Sequence, residues 1–328
     1  MAIQQESGQQ VRFRPRRLGH ANLFVGDLER SMQFYHQVCG LEEVFREPAI
    51  NAGFLSNGNT HHDVAVVQVS ETSLIGRDSQ VLVPEGWGKR AGLFHLGFEM
   101  ENEAELVAAY RRAQQAKVRI LMTVDHRLAR SVYLFDPEGN LLEFYADTTK
   151  DWRGVFAAFK DELVTGPWTP GEHPPAAESY YPVAPEIRRV ADAMFHPRRI
   201  THAALAVRDF EVSLRFYTEV AGLHEVVCTP NGAFAVLRGT YPSYDLALFQ
   251  AGEDQPVGLH HIGFEISDER ELEDAEVQLR RNGIEAELQL DHATKRSLFL
   301  QDPDGLRLEF YVQRAPLDRE TEVQPYLA

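Results

Sequence analysis

Two histidines and one glutamate stand at matching places in the two halves of this chain, residue types that together can hold a divalent metal ion. Leu18-Gly19-His20-Ala21-Asn22-Leu23 returns as Ile200-Thr201-His202-Ala203-Ala204-Leu205. Leu93-Phe94-His95-Leu96-Gly97-Phe98-Glu99 returns as Leu259-His260-His261-Ile262-Gly263-Phe264-Glu265. Asp136-Pro137-Glu138-Gly139-Asn140-Leu141-Leu142-Glu143-Phe144-Tyr145 returns as Asp302-Pro303-Asp304-Gly305-Leu306-Arg307-Leu308-Glu309-Phe310-Tyr311. In both copies the second histidine precedes the glutamate by 48 residues. Two imidazoles and one carboxylate form the facial triad that holds non-haem Fe(II) while leaving positions open for substrate and oxygen. The expected metal ligands are therefore His20, His95 and Glu143, with His202, His261 and Glu309 as a second candidate site.

A single histidine in an apolar strand is more often a satisfied core group than a ligand. Recurrence, and a glutamate embedded in a strand, change that balance. A carboxylate between Leu142 and Phe144 is costly to bury without a partner, and a metal ion is the simplest one. The copies differ around their triads. Copy one has His62 where copy two has Tyr244, and Tyr133 where copy two has Phe299; Asp125-His126 is matched by Asp291-His292. Taken singly, each extra group reads as a surface or capping residue. Together beside one triad they suggest proton transfer by His62 and His126 and oxyanion stabilisation by Tyr133, so the N-terminal copy is the expected reacting site.

The elements that must position these residues are short. Asp27 and Asp209 are good N-caps for helices over 28–38 and 210–220, and Gly40 and Gly222 stand where those helices should close. The Ser-x-x-Phe-Tyr shared by both helices (Tyr35, Tyr217) reads first as core packing. Strands are expected over 43–45, 52–55 and 63–69, and again over 225–228, 233–237 and 245–249. Helices over 103–115 and 269–281 follow the second histidine strands. The result is a β-α-β-β-β module occurring four times. Between the copies, Pro167, Pro170, Pro174, Pro175, Pro182, Pro185 and Pro197 mark a linker, with a short helix expected over 185–194. Residues 71–90 insert a loop in copy one: His95 follows Asp63 by 32 positions, whereas His261 follows Asp245 by 16. A long loop entering a metal strand is a candidate site wall or interface arm. The resulting division is an N-terminal arm (1–17), a first domain (18–147), a linker (148–199), a second domain (200–314) and a tail (315–328).

A chain of 328 residues is long enough for two domains with buried cores. Its formal charge of −16 argues against a phosphate-binding surface, so no nucleic acid is expected as partner. Two cysteines, one per copy, argue against a disulfide framework and suit a reducing cytoplasm. Neither a signal peptide nor a membrane-spanning apolar stretch is apparent.

These motifs resemble the vicinal oxygen chelate superfamily, and within it the two-domain type I extradiol ring-cleaving dioxygenases, over roughly Leu18 to Arg314. The resemblance implies an α+β fold of tandem βαβββ modules, each pair forming a cupped mixed sheet flanked by helices. It implies Fe(II), or alternatively Mn(II), held by two histidines and a glutamate. The implied partners are an aromatic diol and O2, and the implied reaction is ring opening of a catechol. The family's histidine-aspartate motif matches His62-Asp63, its later histidine and tyrosine match His126 and Tyr133, and its His-x-x-Phe matches His95 to Phe98. In the best-known members the C-terminal domain is the catalytic one; here both triads survive and the fuller set lies in the N-terminal copy. The same scaffold also serves glyoxalase-type isomerases, thiol transferases and non-catalytic small-molecule binders. The isomerases and transferases typically supply further carboxylate ligands, and no second glutamate stands in ligand register. Exposed sheet edges and the 71–90 loop make a homo-oligomer the expected assembly.

Overall fold

The computed structural model describes residues 12–75, 79, 81–159, 166–229 and 233–316. The first eleven residues of the expected arm, and the expected tail from 317 onward, lie outside the described residues.

Each copy is built from two βαβββ modules. In the first copy these are β1 (Arg17–Val25), α1 (Leu28–Gln37), β2 (Glu42–Glu47), β3 (Ala52–Ser56) and β4 (Val64–Gln68), then, after a hairpin of β5 (Leu74–Ile75) and β6 (Val81–Val83), β7 (Gly92–Glu99), α2 (Glu103–Gln115), β8 (Ile120–Asp125), β9 (Ala129–Phe135) and β10 (Leu141–Asp147). A short helix α3 (Trp152–Ala158) follows. The second copy repeats the plan with β11 (Arg199–Val207), α4 (Phe210–Arg215, continued by a π turn at Phe216–Val220), β12 (His224–Cys228), β13 (Phe234–Arg238) and β14 (Leu246–Gln250). Its second module is β15 (Gly258–Glu265), α5 (Glu269–Arg281), β16 (Leu288–Asp291), β17 (Lys295–Gln301) and β18 (Arg307–Gln313).

The fold is α+β, with one mixed eight-stranded sheet per copy, ordered β2-β3-β4-β1-β7-β10-β9-β8 and β12-β13-β14-β11-β15-β18-β17-β16. The histidine strand β1 lies at the centre, parallel to β4 and antiparallel to β7, and β7 runs parallel to the glutamate strand β10. Pleating then sorts the side chains. Ala21, Leu23 and Val25 of β1, with Leu142, Phe144 and Ala146 of β10, face the core beneath the helices. His20, Asn22 and Glu143, of opposite parity, fall on the other face of the sheet. Local chemistry starts each helix as its sequence suggests. Asp27 Oδ1 accepts from Arg30 N at 2.9 Å, and Asp209 Oδ1 accepts from Val212 N at 3.0 Å.

The proline-rich segment contains no helix over 185–194. Its backbone groups are committed to the first copy instead: Arg188 N donates to Asn57 O, Met194 N to Gln37 O and Phe195 N to Val38 O. A segment whose N–H groups pair across a domain boundary cannot also close i to i−4 bonds. The described end of the expected arm is likewise tied down. Phe13 N donates to Val220 O in the second copy, while its ring stacks on Phe144 of the first at 4.0 Å between centroids. Phe195 stacks in the same way on Phe310 at 3.8 Å.

The two copies grip one another reciprocally. Asp63 accepts from Ile200 N at the start of β11, and Asp245 accepts from Leu18 N at the start of β1. Tyr35 donates to Asp302 at 3.1 Å, and Tyr217 donates to Asp136 at 2.8 Å. Asp63 therefore serves the domain interface, although it neighbours His62 in sequence. No helix among the described residues is long and apolar enough to cross a membrane.

Candidate metal centre

The three residues expected as ligands in the first copy come together on the sheet face opposite the helices. His20 Nε2 lies 2.8 Å from Glu143 Oε2, and His95 Nε2 lies 3.0 Å from the same oxygen. All three side chains are buried. Donors at right angles about 2.1 Å from a shared octahedral cation would stand about 3.0 Å apart, so this spacing fits one. His95 Nε2 is buried and not aligned for a hydrogen bond with that neighbouring carboxylate. An orphaned imidazole nitrogen aimed at the space shared with a histidine and a carboxylate is what a metal ion would satisfy.

The sheet sets this geometry. Register places Asn22 opposite His95 and Leu141 beside His95, so His95 and Glu143 lie on adjacent parallel strands. Ser131, two residues from Tyr133 along β9, donates to Glu143 Oε1 at 2.5 Å. That bond turns Oε2 toward the imidazoles. Burial alone would raise the Glu143 carboxyl, but His20 and His95 beside it outweigh burial and hold it well below the carboxylate range. Burial pushes His20 down to about 4, against the pull of Glu143, leaving a neutral imidazole able to ligate.

The three auxiliary residues surround this centre. The His62 ring lies against that of His20 at 4.2 Å between centroids, and its Nε2 is 3.1 Å from Asn22 Oδ1. His126 Nε2 is 3.0 Å from the Tyr133 hydroxyl and 4.0 Å from Glu143 Oε1. Burial lowers His62 and His126 and raises Tyr133, so each stays neutral in the folded chain. A cavity of about 90 Å³ opens against them. Since a water centre needs roughly 10–15 Å³, that is space for several waters or a planar ring. Its walls are mostly apolar, among them Phe54, Leu82, Phe94, Val124 and Phe156. Leu82 comes from the β5–β6 hairpin, so the inserted loop does wall the cavity. Phe156 comes from α3, in the segment read from sequence only as linker.

Sequence reasoning missed several contributors. Asn22 and Ser131 carry no metal signature, and their roles follow only from strand pairing. His61 is a further histidine at this site, its Nδ1 3.3 Å from Asp147 Oδ1. Gly97 sits against the His20 ring, where a Cβ would come within 2.0 Å of Nε2. Its recurrence at Gly263 was the available signal.

The C-terminal triad is also assembled. Glu309 Oε2 lies 3.2 Å from His202 Nε2 and 3.6 Å from His261 Nε2. Here, however, Lys295 is fully buried and its Nζ lies 2.5 Å from Glu309 Oε1. Tyr244 occupies the place of His62, with ring centroids again 4.2 Å from the first histidine. Phe299 meets His261 edge-on at 5.4 Å, where Tyr133 meets His95 at 5.6 Å. His292 bonds the neighbouring Thr294 hydroxyl at 3.0 Å.

Comparison with known proteins gives this arrangement relatives. The sequence pattern of the Glyoxalase/Bleomycin resistance protein/Dioxygenase superfamily matches residues 17–144 and 199–310. The chain is 27% identical to a catechol-2,3-dioxygenase of Bacillus subtilis (strain 168) over 250 residues, covering 76% of this chain and 74% of that protein. It is 30% identical to biphenyl-2,3-diol 1,2-dioxygenase 3 of Rhodococcus globerulus over 131 residues, 40% of this chain and 63% of the relative. Among solved structures it resembles the 2,3-dioxygenase LapB from Pseudomonas sp. KL28, with a TM-score of 0.65 at 19% identity over 95% of this chain and 96% of that one. It also resembles a Mn(II)-bound glyoxalase from Novosphingobium aromaticivorans, with a TM-score of 0.64 at 14% identity over 94% and 85% of the two chains. These structural likenesses establish a shared fold.

Proposed function

The chain belongs to the Glyoxalase/Bleomycin resistance protein/Dioxygenase superfamily, and from that premise we propose that it is an extradiol ring-cleaving dioxygenase acting on an aromatic diol. The observation that carries this reading is the clustering of His20, His95 and Glu143 beside an apolar cavity lined by His95 and Glu143 together with His62, His126 and Tyr133. The catechol and biphenyl-diol dioxygenases among its relatives support the same reading.

His20, His95 and Glu143 would hold a divalent ion, Fe(II) or alternatively Mn(II), supplying Lewis acidity toward the diol oxygens and a position for O2. The protein's own groups do the rest. Tyr133, kept protonated by burial, donates to a substrate oxygen and holds it in place. His126, neutral and 3.0 Å from the Tyr133 hydroxyl, takes a proton from the diol and returns it as the ring opens. His62, fixed by Asn22, hydrogen-bonds the reacting oxygen beside His20. The apolar walls exclude water and press the ring flat between side chains. The reaction breaks the ring carbon–carbon bond beside the diol and places both atoms of O2 in the product. The four electrons that reduce O2 come from the substrate, so no external reductant is needed.

Among the described residues, none that lines the cavity is a lysine or arginine. An anionic substituent would be buried there unpaired, at a cost of several kcal/mol or about a thousandfold in KM. The substrate class is therefore a catechol carrying no substituent or an uncharged apolar one. The test is anaerobic purification with metal analysis, followed by O2 uptake with alkyl, aryl and carboxylated catechols. Oxygen uptake with a yellow ring-opened product, strongest for apolar substituents, is expected. Bound metal without oxygen uptake would replace this reading with an isomerase or thiol transferase. Absence of bound metal would leave a small-molecule binder.

A further inference from the structure

We propose that Lys295 occupies the C-terminal triad in place of a metal ion, so that His202, His261 and Glu309 form a closed, internally neutralised copy of the N-terminal centre. The inference rests on reading His20, His95 and Glu143 as a metal site.

Strand register identifies the deciding position. In the first copy β9 pairs with β10 so that Ala129 faces Asp147, Ser131 faces Tyr145 and Tyr133 faces Glu143. In the second copy β17 pairs with β18 so that Lys295 faces Gln313, Ser297 faces Tyr311 and Phe299 faces Glu309. Lys295 thus stands where the first copy has Ala129, and the Ala129 methyl is part of the cavity wall. Enlarging that methyl to a lysine sends four more heavy atoms into the space that copy one leaves open.

The ammonium ends on the triad's carboxylate. Ser297 donates to Glu309 Oε1 at 2.5 Å, just as Ser131 does to Glu143, and the Lys295 ammonium joins it on that oxygen at 2.5 Å. Both charged groups are fully buried. The carboxylate charge is then already balanced by the ammonium beside it. A dication bound by the same three side chains would lie within a few ångströms of a buried ammonium. Bringing two cations to one carboxylate leaves net positive charge where no water screens it. The copy-two neighbours agree with closure: the Tyr244 hydroxyl stands 3.3 Å from His202 Nε2, and Phe299 removes the phenol of Tyr133.

The consequence is stoichiometric: one metal ion per chain, always at the N-terminal centre. Wild type, Lys295→Ala, Ala129→Lys and Glu143→Gln, each as the full chain, are dialysed against Mn(II) and the bound metal counted. Thermal unfolding is recorded with and without Mn(II). One ion is expected in wild type, two in Lys295→Ala, and none in Ala129→Lys or Glu143→Gln. Lys295→Ala should also unfold at a higher temperature with Mn(II) than without by more than wild type does. If that variant folds only with Mn(II), the metal has replaced the ammonium and the inference stands. Equal metal counts in wild type and Lys295→Ala, or one ion retained by Ala129→Lys, overturn it. A wild type without metal would instead overturn the reading of the N-terminal site, and a gain of one ion in Lys295→Ala would still support the role of Lys295.

Discussion

Gly97 carries no reactive group, yet it decides whether His20 can stand where it does. With a Cβ due within 2.0 Å of the imidazole Nε2, and the ring held between His62 and Tyr145, Gly97→Ala has to displace the ring. We expect metal affinity to fall roughly 10–100-fold, as when a ligand loses its support, with about 1–3 kcal/mol of stability lost to overpacking. Chelator competition and urea unfolding measure the two. His62 acts differently, because its ring lies against a proposed ligand and it is not proposed as one. His62→Ala should keep its metal while turnover falls roughly 10²–10⁴-fold; loss of the metal as well would make His62 structural. Burial first, then His20 and His61, push His62 well below its ordinary value. In the metal-free chain it is neutral when folded but becomes protonated when unfolded below about pH 6.5. Its share of stability is present above that pH and is lost as pH falls toward the folded value. His62→Gln should therefore lose less stability than wild type between about pH 7 and about pH 5. Parallel curves for the two proteins would refute the buried neutral state.

At the level of elements, the β5–β6 hairpin distinguishes the N-terminal copy from its sister. Its Leu82 and Val83 line the cavity, and Trp87 just beyond it packs edge-on against Phe135 at 5.1 Å between centroids. The second copy crosses the same gap with half as many residues. Replacing residues 70–89 by the short connection of copy two should raise KM for alkyl- and arylcatechols by roughly 10–200-fold, the range for losing apolar contact in a pocket. Metal content should not change, because no proposed ligand comes from the hairpin. Unaltered KM values would reduce it to a cover over the sheet edge. Helix α3 belongs to the same wall through Phe156, although it opens a segment whose later prolines announce a connection.

Across the whole molecule, the copies are joined by paired, mutually exchanged bonds, as in a two-fold arrangement. Tyr35 reaches Asp302 and Tyr217 reaches Asp136, all four buried, so each helix of one copy is tied to the turn before the glutamate strand of the other. Tyr35→Phe and Tyr217→Phe should each cost about 1–3 kcal/mol, since each leaves a buried carboxylate short of a donor. Chemical denaturation checks this, and a single cooperative transition is expected. Tyr217→Phe bears on the turn that leads into Glu143, so it should also weaken metal retention more than Tyr35→Phe does. Equal retention in both variants would show that the interface and the metal centre are uncoupled.

Much of this organisation was legible in one dimension. Repeated His20, His95 and Glu143, capped helices of matching length and alternating strands follow from local rules: metal-ligand chemistry, side-chain hydrogen bonds at helix starts, and the pleat of a strand. The repeat even extends into segments read only as arm and linker, where Phe13-Arg14-Pro15-Arg16-Arg17 returns as Phe195-His196-Pro197-Arg198-Arg199. What the sequence could not determine depends on which strands become neighbours. That His202, His261 and Glu309 share their space with Lys295, that Ser131 turns the Glu143 carboxylate, and that Asp63 serves the other copy rather than its neighbour His62 are all consequences of register. So is the failure of residues 185–194 to form a helix, since their hydrogen bonds are claimed by Asn57 and by the end of α1. Residue type and spacing determined which chemistry was available; the pairing of strands far apart in the chain decided which triad stands beside an open cavity and which beside a buried lysine.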